Sequence, residues 1–298
     1  MNPRRLTLIL VPYLWLLALF LVPFLIVLKI SLSDTAIAIP PYIPKLDLST
    51  GWHGITAFFA DLDFENFVFL AEDDLYWKSY LSSLRIASIS TLLTLLVGYP
   101  IAYGIAQAPE EWRPTLLMLV ILPFWTSFLI RVYSWIGIIS NEGLLNQALI
   151  SSGLIAEPIQ IMNTTQAVYL GIVYTYLPFM ILPIYSALDK MDVSLTEAAI
   201  DLGCSRRQAF WLVILPLSRP GVIAGCFLVF IPALGEFVIP SLLGGSDTLM
   251  IGKVLWEEFF SNRDWPVASA VAVILLGILV LPIMLFQRNQ ERQQETDR

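Results

Sequence analysis

Two ionisable residues, Arg131 and Glu236, stand well inside apolar runs of this 298-residue sequence. A charge in such surroundings is costly, which makes each a candidate for function. The Glu236 carboxylate can accept an ammonium group or pair with a guanidinium. Arg131 can supply that guanidinium, or its side chain can reach outward to lipid headgroups. Tyr174, Tyr176, Trp125, Tyr133, Trp135 and Phe237 offer aromatic faces for a cation and packing for an aliphatic stem. Three readings stay open: an ion pair or purely structural role, a pathway role for Glu236, and headgroup contact by both. Most aromatics in an apolar chain line lipid or pack, so each of the six carries the same ambiguity.

Several other chemistries are excluded by inventory. His53 is the only histidine, and the two cysteines are Cys204 and Cys226. A metal site built on His and Cys, or a membrane protease using a Ser-His pair, therefore lacks its residues. No Asp lies inside an apolar run, which removes an intramembrane aspartyl pair. The approach to Gly252-Lys253 has Asp247 where a phosphate-binding loop needs its first glycine, and Val254 follows the lysine. Any ATP-driven step requires hydrolysis on another chain.

The elements that must position these residues are membrane helices. Hydrophobic residues make up 57% of the chain and charged residues 14%, against about 45–50% and about 25% in soluble domains. The apolar residues gather into runs: Leu6 to Leu28, Ile86 to Pro109, Pro114 to Asn141, Pro158 to Leu188, Pro220 to Gly235 with a continuation to Ser246, and Trp265 to Gln287. Each can cross a hydrocarbon core of about 30 Å, which needs about 20 helical residues. An all-α integral membrane protein with six transmembrane helices is expected. Prolines within the runs, Pro178 among them, are tolerable where neighbouring helices satisfy the freed carbonyls. Pro178 is expected to break the fourth helix. The first run follows Arg4 and Arg5 and precedes a small-residue Ala36-Ile37-Ala38 site. It is longer than the apolar stretch of about 7–15 residues in a signal peptide, so retention is expected.

Orientation follows from Lys and Arg. With the N-terminus inside, the inner segments hold Arg4, Arg5, Arg113, Lys190, Arg206, Arg207, Arg219, Arg288, Arg292 and Arg298. The outer segments hold Lys29, Lys45, Lys78, Arg85, Lys253 and Arg263. Both termini are expected to be cytoplasmic. The net charge of -7 concentrates outside, where the first loop carries Asp34, Asp47, Asp61, Asp63, Glu65, Glu72, Asp73 and Asp74. Such a surface gathers cations, although outer loops are often acidic for reasons unrelated to substrate. Counted along helices at about 1.5 Å per residue, Arg131 is expected about 24 Å along the third helix and Glu236 about 25 Å along the fifth, both near the outer end.

The inner loop between the fourth and fifth helices is the most patterned stretch. Ser194 with Glu197 predicts a capping box and a helix start. Leu195, Ala198, Ala199 and Leu202 form one apolar stripe, with Thr196, Glu197 and Asp201 off it. Gly203 suits a left-handed stop. A basic segment with Arg206 and Arg207 then leads to Leu215-Pro216. The stripe needs a partner surface, or failing that a lipid headgroup layer.

Glu197-Ala198-Ala199, three residues, Gly203, nine residues, Val213, a spacer and Leu215-Pro216 resemble the cytoplasmic signature of binding-protein-dependent ABC import permeases, with Val213 where the family pattern has Ile. The segments Pro123 to Trp135, Pro232 to Gly245 and Phe259 to Pro266 resemble polyamine import permeases, the putrescine branch in particular. The resemblance implies a type I ABC importer permease fold: 1–30 as N-terminal segment and first span, 31–83 as an acidic outer loop, 84–288 as the permease core with a coupling loop at 189–216, and 289–298 as a cytoplasmic tail. It implies that Glu197, Ala198, Ala199, Gly203, Leu215 and Pro216 couple to the ATPase. By the same resemblance the chain is a non-enzymatic subunit of the bacterial inner membrane, translocating a polyamine. Its implied partners are a second permease, two ATPase subunits that bind ATP and magnesium, and a periplasmic binding protein. No cofactor on this chain and no nucleic-acid partner are expected. The rival readings are a permease for another small solute such as an amino acid, and a channel or secondary transporter working without ATP.

Overall fold

The computed structural model describes residues 3–45 and 60–296, except for the side chains of 3–7, 281–283 and 285–296. His53 and Asp47 lie outside the described residues.

Along the chain, α1 (Pro3–Leu16) continues through a π-helical turn (Leu17–Leu21) into α2 (Val22–Ser31). β1 (Asp34–Thr35) pairs antiparallel with β2 (Tyr42–Ile43), Asp34 opposite Ile43. α3 (Glu65–Glu72) leads to the long α4 (Asp74–Gln107). α5 (Arg113–Ile121), a 3-10 turn (Leu122–Trp125), α6 (Phe128–Ile139) and α7 (Leu144–Ser151) follow. Next come α8 (Thr165–Asp189), α9 (Val193–Asp201), α10 (Arg206–Ala209), a π-helical turn (Phe210–Ile214) and α11 (Leu215–Leu217). The chain closes with α12 (Arg219–Leu234), α13 (Val238–Leu243), α14 (Ile251–Trp256), a π-helical turn (Glu257–Asn262) and α15 (Trp265–Thr296).

Among the described residues, three unbroken helices are long and apolar enough to cross a membrane: Leu8–Ser31, Asp74–Gln107 and Thr165–Asp189. Two further candidates are bent pairs, Arg113–Trp125 with Phe128–Ser151 at 89° and Arg206–Leu217 with Arg219–Leu234 at 62°. The sixth apolar run lies in α15, over Trp265–Val280.

The breaks differ from the expected ones. Pro178 and Pro183 both lie inside the continuous α8, so Pro178 does not break the fourth helix. A proline removes one N–H bond, and here the packed neighbours hold the helix together, Pro178 itself being buried. The third helix breaks instead after Trp125. Thr126 and Ser127 are extended, and the Pro123 carbonyl that ends the turn accepts both the Thr126 N–H at 3.3 Å and the Thr126 hydroxyl at 2.8 Å. Arg131 thus lies in the first turn of α6, past the bend. The depth reckoned along a straight third helix does not hold. Glu236 likewise lies beyond the end of α12, in the gap before α13.

Two compact units divide the chain: residues 1–78 with 254–298, and residues 79–253. In the first, α2 packs on α15. Asn66 donates to the carbonyls of Ser31 at 3.1 Å and Ser33 at 2.8 Å, and Thr35 donates to Asp264 at 2.7 Å. Lys29 lies over the Tyr42 ring at 3.9 Å.

In the second unit, α8 is the axle, and α12 packs along it. Between apolar helices in lipid the association energy comes from close van der Waals packing rather than from the hydrophobic effect. Two glycines permit that closeness. A Cβ on Gly221 would lie 2.6 Å from the Pro183 carbonyl oxygen and from the Ala187 side chain, and one on Gly225 would lie 2.8 Å from Met180 Sδ. The four-residue spacing of these glycines is therefore a packing face. At the 62° bend the Ser218 hydroxyl is within 2.9 Å of the Tyr99 hydroxyl, a buried pair that holds the corner to α4.

Candidate functional site

The sequence candidates fall into two separate groups, both in the second unit. The first is the segment from Asp192 to Pro216, exposed over most of its first half and partly buried, at Ala209 and Ile214, in its second. The helix expected from a Ser194–Glu197 capping box forms, but its cap is different: Asp192 is the N-cap, its carboxylate accepting from the Ser194 N–H at 2.9 Å. Asp192 wins because its short carboxylate reaches the second N–H beyond it. The same bond holds the Asp192 carboxyl below the usual carboxylate range. A true capping box occurs further on, where Ser205 and Gln208 bond reciprocally and start α10. Gly203 has φ +94, the left-handed stop expected of it. Glu197 and Ala198 are exposed and Ala199 half-buried. Leu202, at 87% exposed, and Leu195 leave the apolar stripe without cover in this chain. Leu215 and Pro216 sit in the short α11 before the 62° bend.

The base of this segment is tied to the bundle in a way the sequence did not suggest. Asp189, the last residue of α8, pairs with Arg113 at 3.0 Å and accepts from the Tyr185 hydroxyl at 3.2 Å. Arg113 also donates to the Ala108 carbonyl at 3.0 Å. A cavity of about 480 Å³ lies alongside, lined by Gln107, Arg113, Asp189, Asp192, Thr196 and Arg206 among others. Arg113 and Asp189 are 76 residues apart, and no local pattern announces the pairing.

The second group surrounds the two helix breaks. Glu236 is 7% exposed and its acceptor atoms are in use. One oxygen accepts the Tyr176 hydroxyl at 2.5 Å; the other accepts the Val238 N–H at 3.0 Å and the Ile239 N–H at 3.4 Å. The carboxylate therefore caps α13, where the free N–H groups and helix dipole favour a negative charge. α13 is itself wedged in place: Ile239, Pro240 and Leu243 are buried, and Gly171 of α8 leaves room for Ile239 and Leu243. Gly252 packs flat on the same break, since a Cβ there would collide with the carbonyl of Gly235. Sequence reading missed Gly252, which it considered only as part of an absent phosphate loop.

Arg131 and Glu236 form no ion pair. Arg131 is 8% exposed, with its guanidinium carbon 4.8 Å from the Phe124 ring centre and 5.9 Å from that of Phe128. Its Nε and Nη1 are buried with no hydrogen-bond partner. A buried cation–π contact contributes about 2 kcal/mol, whereas a buried guanidinium lacking its partner costs on the order of 3–5 kcal/mol. The rings alone do not offset the charge. Trp135 and Tyr174 meet edge to face at 5.4 Å and line, with Arg131, a cavity of about 300 Å³. Trp125 and Tyr133 point outward, 71% and 57% exposed, and Phe237 is half-buried at the start of α13. The structure thus joins Tyr176 to Glu236, and Tyr174 and Trp135 to Arg131, and it leaves Trp125 and Tyr133 outside both groups.

The family model for the binding-protein-dependent transport system inner membrane component matches residues 6–294. The chain is 47% identical over 214 residues to the spermidine/putrescine transport system permease protein PotB of Haemophilus influenzae, covering 72% of this chain and 75% of that one. It is 45% identical over 216 residues to the PotB protein of Escherichia coli K12, covering 72% and 78%. Among solved structures, a bacterial ABC transporter importing the acidic polysaccharide alginate superposes with a TM-score of 0.68 at 16% identity, over 96% of this chain and 94% of that one. The chain belongs to the family of binding-protein-dependent transport system inner membrane components, and it has the type I ABC importer permease fold.

Proposed function

We propose that this chain is one of two permease subunits in an ATP-driven importer of polyamines, putrescine foremost. Identity of 45–47% to spermidine/putrescine permeases carries the substrate class. The alternative cargo is another small solute such as an amino acid, because selectivity in an importer that depends on a binding protein can reside in that protein. The chain would cross the inner membrane six times with both termini in the cytoplasm, an orientation supported by the distribution of Lys and Arg.

In this reading the chain has no catalytic site and no cofactor. ATP and magnesium belong to two ATPase subunits, and the segment from Glu197 to Gly203 docks against them. The uncovered stripe of Leu195 and Leu202, beside the small Ala198 and Ala199, supports that docking. Closure of the ATPases would move α9, and the Arg113–Asp189 pair would carry the movement to the foot of α5 as well as along α8. Arg131, Glu236 and the aromatics around the two breaks would then rearrange as the path alternates between its two openings. A periplasmic binding protein would deliver the substrate to the outer face.

The test is uptake of labelled putrescine by the reconstituted complex, with spermidine, amino acids and sugars as competitors. Competition by polyamines alone is the expected result, and competition by an amino acid instead would reassign the cargo. Uptake that persists without the ATPase subunits would favour a channel or secondary transporter.

A further inference from the structure

Arg131 is a buried cation on the wall of a cavity. A guanidinium has five N–H donors and accepts nothing, and two of its nitrogens, Nε and Nη1, are buried without an acceptor. The hydroxyls of Thr126 and Ser134 donate to the Pro123 and Ile130 carbonyls at 2.8 Å each, and neither accepts from Nε or Nη1 of Arg131. Glu236, whose pairing with Arg131 is one of the readings the sequence leaves open, is held by Tyr176 and by the N-terminus of α13. Beside Arg131 lies the cavity of about 300 Å³ lined by Thr126, Ser134, Trp135 and Tyr174. Its chemistry suits an anionic oxygen group. An amine is repelled there by like charge.

The outer side of α6 indicates what brings that oxygen. Ile130 is 63% exposed, and Ser134 and Gly137 are exposed beside it. A Cβ on Gly137 would meet nothing within 4 Å. A small pair flanked by an apolar residue on an open helix face lets another helix backbone approach closely, a closeness that flexible lipid chains do not require. We propose that the Arg131 cavity receives an Asp or Glu side chain from a helix of the second permease subunit, forming an inter-subunit ion pair. This rests on the two-permease reading above. The pair would also hide the Arg131 charge from a cationic substrate, since a lone cation near the path repels a diamine.

The experiment uses the assembled complex in proteoliposomes, with Cys204 and Cys226 replaced. Ser134→Cys is combined with single cysteines one turn from each membrane-embedded acid of the second permease. A disulfide is expected at one of these positions. Arg131→Glu is expected to lower uptake at least about tenfold in a complex that still assembles, and Lys in place of the identified acid is expected to restore uptake to within about twofold of the unmodified complex. If Arg131→Glu fails to assemble, Arg131→Gln combined with the amide at the partner acid should recover what Arg131→Gln alone loses. A disulfide without rescue by any reversed or neutralised acid overturns the pair while leaving the two-permease reading intact. Retention of a phospholipid by the unmodified complex, lost in Arg131→Gln, would overturn it in favour of a headgroup phosphate. Failure of polyamine uptake in the unmodified complex would count against the transport reading alone, because the disulfide needs no substrate.

Discussion

The segment around α9 and the region around the two helix breaks obtain their order from opposite sources. In the segment the contacts that start and stop its helices are local: Asp192 to Ser194, Ser205 to Gln208, and the left-handed turn at Gly203, while the Arg113–Asp189 pair ties its base to the bundle. Its apolar stripe is left exposed, as befits a surface completed by another chain. Around the breaks the defining contacts join distant parts of the sequence. Tyr176 reaches Glu236 across 60 residues, Gly171 admits Ile239, and Gly252 lies on Gly235. A local device can fail alone, leaving the bundle standing. A device built from packing fails together with the bundle.

The largest expected effect tests that contrast from the packed side. Gly252→Val drives a branched side chain into the Gly235 backbone, an overpacking cost of about 3 kcal/mol or more where backbone cannot yield. The amount of chain recovered in membranes should fall about tenfold together with uptake; a normal yield would show that the break tolerates disturbance. On the local side, Gly203→Asp places a side chain at φ +94, where an L-residue pays about 1–2 kcal/mol. Uptake should drop about tenfold with membrane abundance unchanged, and Gly203→Asn should lose less. Normal uptake by Gly203→Asp would remove this turn from the coupling route.

Glu236→Gln is intermediate. It keeps the shape but removes the charge from the start of α13, a loss of about 1–2 kcal/mol for hydrogen bonds to an ionised group. Uptake should slow several-fold, with Tyr176→Phe slowing it less. Unchanged rate and apparent affinity in Glu236→Gln would take Glu236 out of the pathway altogether. The smallest effect is expected at Asp192. Its carboxyl titrates below the ordinary range, so the cap is intact above that range and weakens only as pH falls through the lowered value. Uptake should therefore be insensitive to this cap between about pH 6 and 8. Asp192→Ala should reduce uptake modestly, and Asp192→Asn should restore it. A steep pH dependence abolished by Asp192→Asn would contradict the local picture.

Legibility in the sequence followed the same division. The helix after Lys190 and its stop at Gly203 could be read directly, because a capped amphipathic helix is specified by residues within a turn or two of one another. Even there, the cap was assigned to Ser194 when Asp192 competes successfully two residues earlier. Proline was a poorer guide in the apolar runs. Pro178 and Pro183 leave α8 unbroken, while Thr126 and Ser127 interrupt the third helix. A missing N–H bond is tolerated where neighbours pack well, so the location of a break depends on what surrounds it. The close approach of α12 to α8 rests on Gly221 and Gly225, whose four-residue spacing acquires meaning only from Met180, Pro183 and Ala187 opposite.

The sequence by itself determined the membrane character, the scarce intramembrane charges and the family signature from Glu197 to Pro216, since these depend on composition and short spacing. Tertiary structure alone decided which charge meets which partner. Glu236 is answered within its own chain, by a tyrosine and a helix end brought to it by the wedged α13. Arg131, past an 89° bend, borders a cavity with its Nε and Nη1 buried and unbonded. The physical reason is that a charge within an apolar bundle is governed by the few groups within a few ångströms of it, and a straight count along a helix cannot place those groups once the helix breaks.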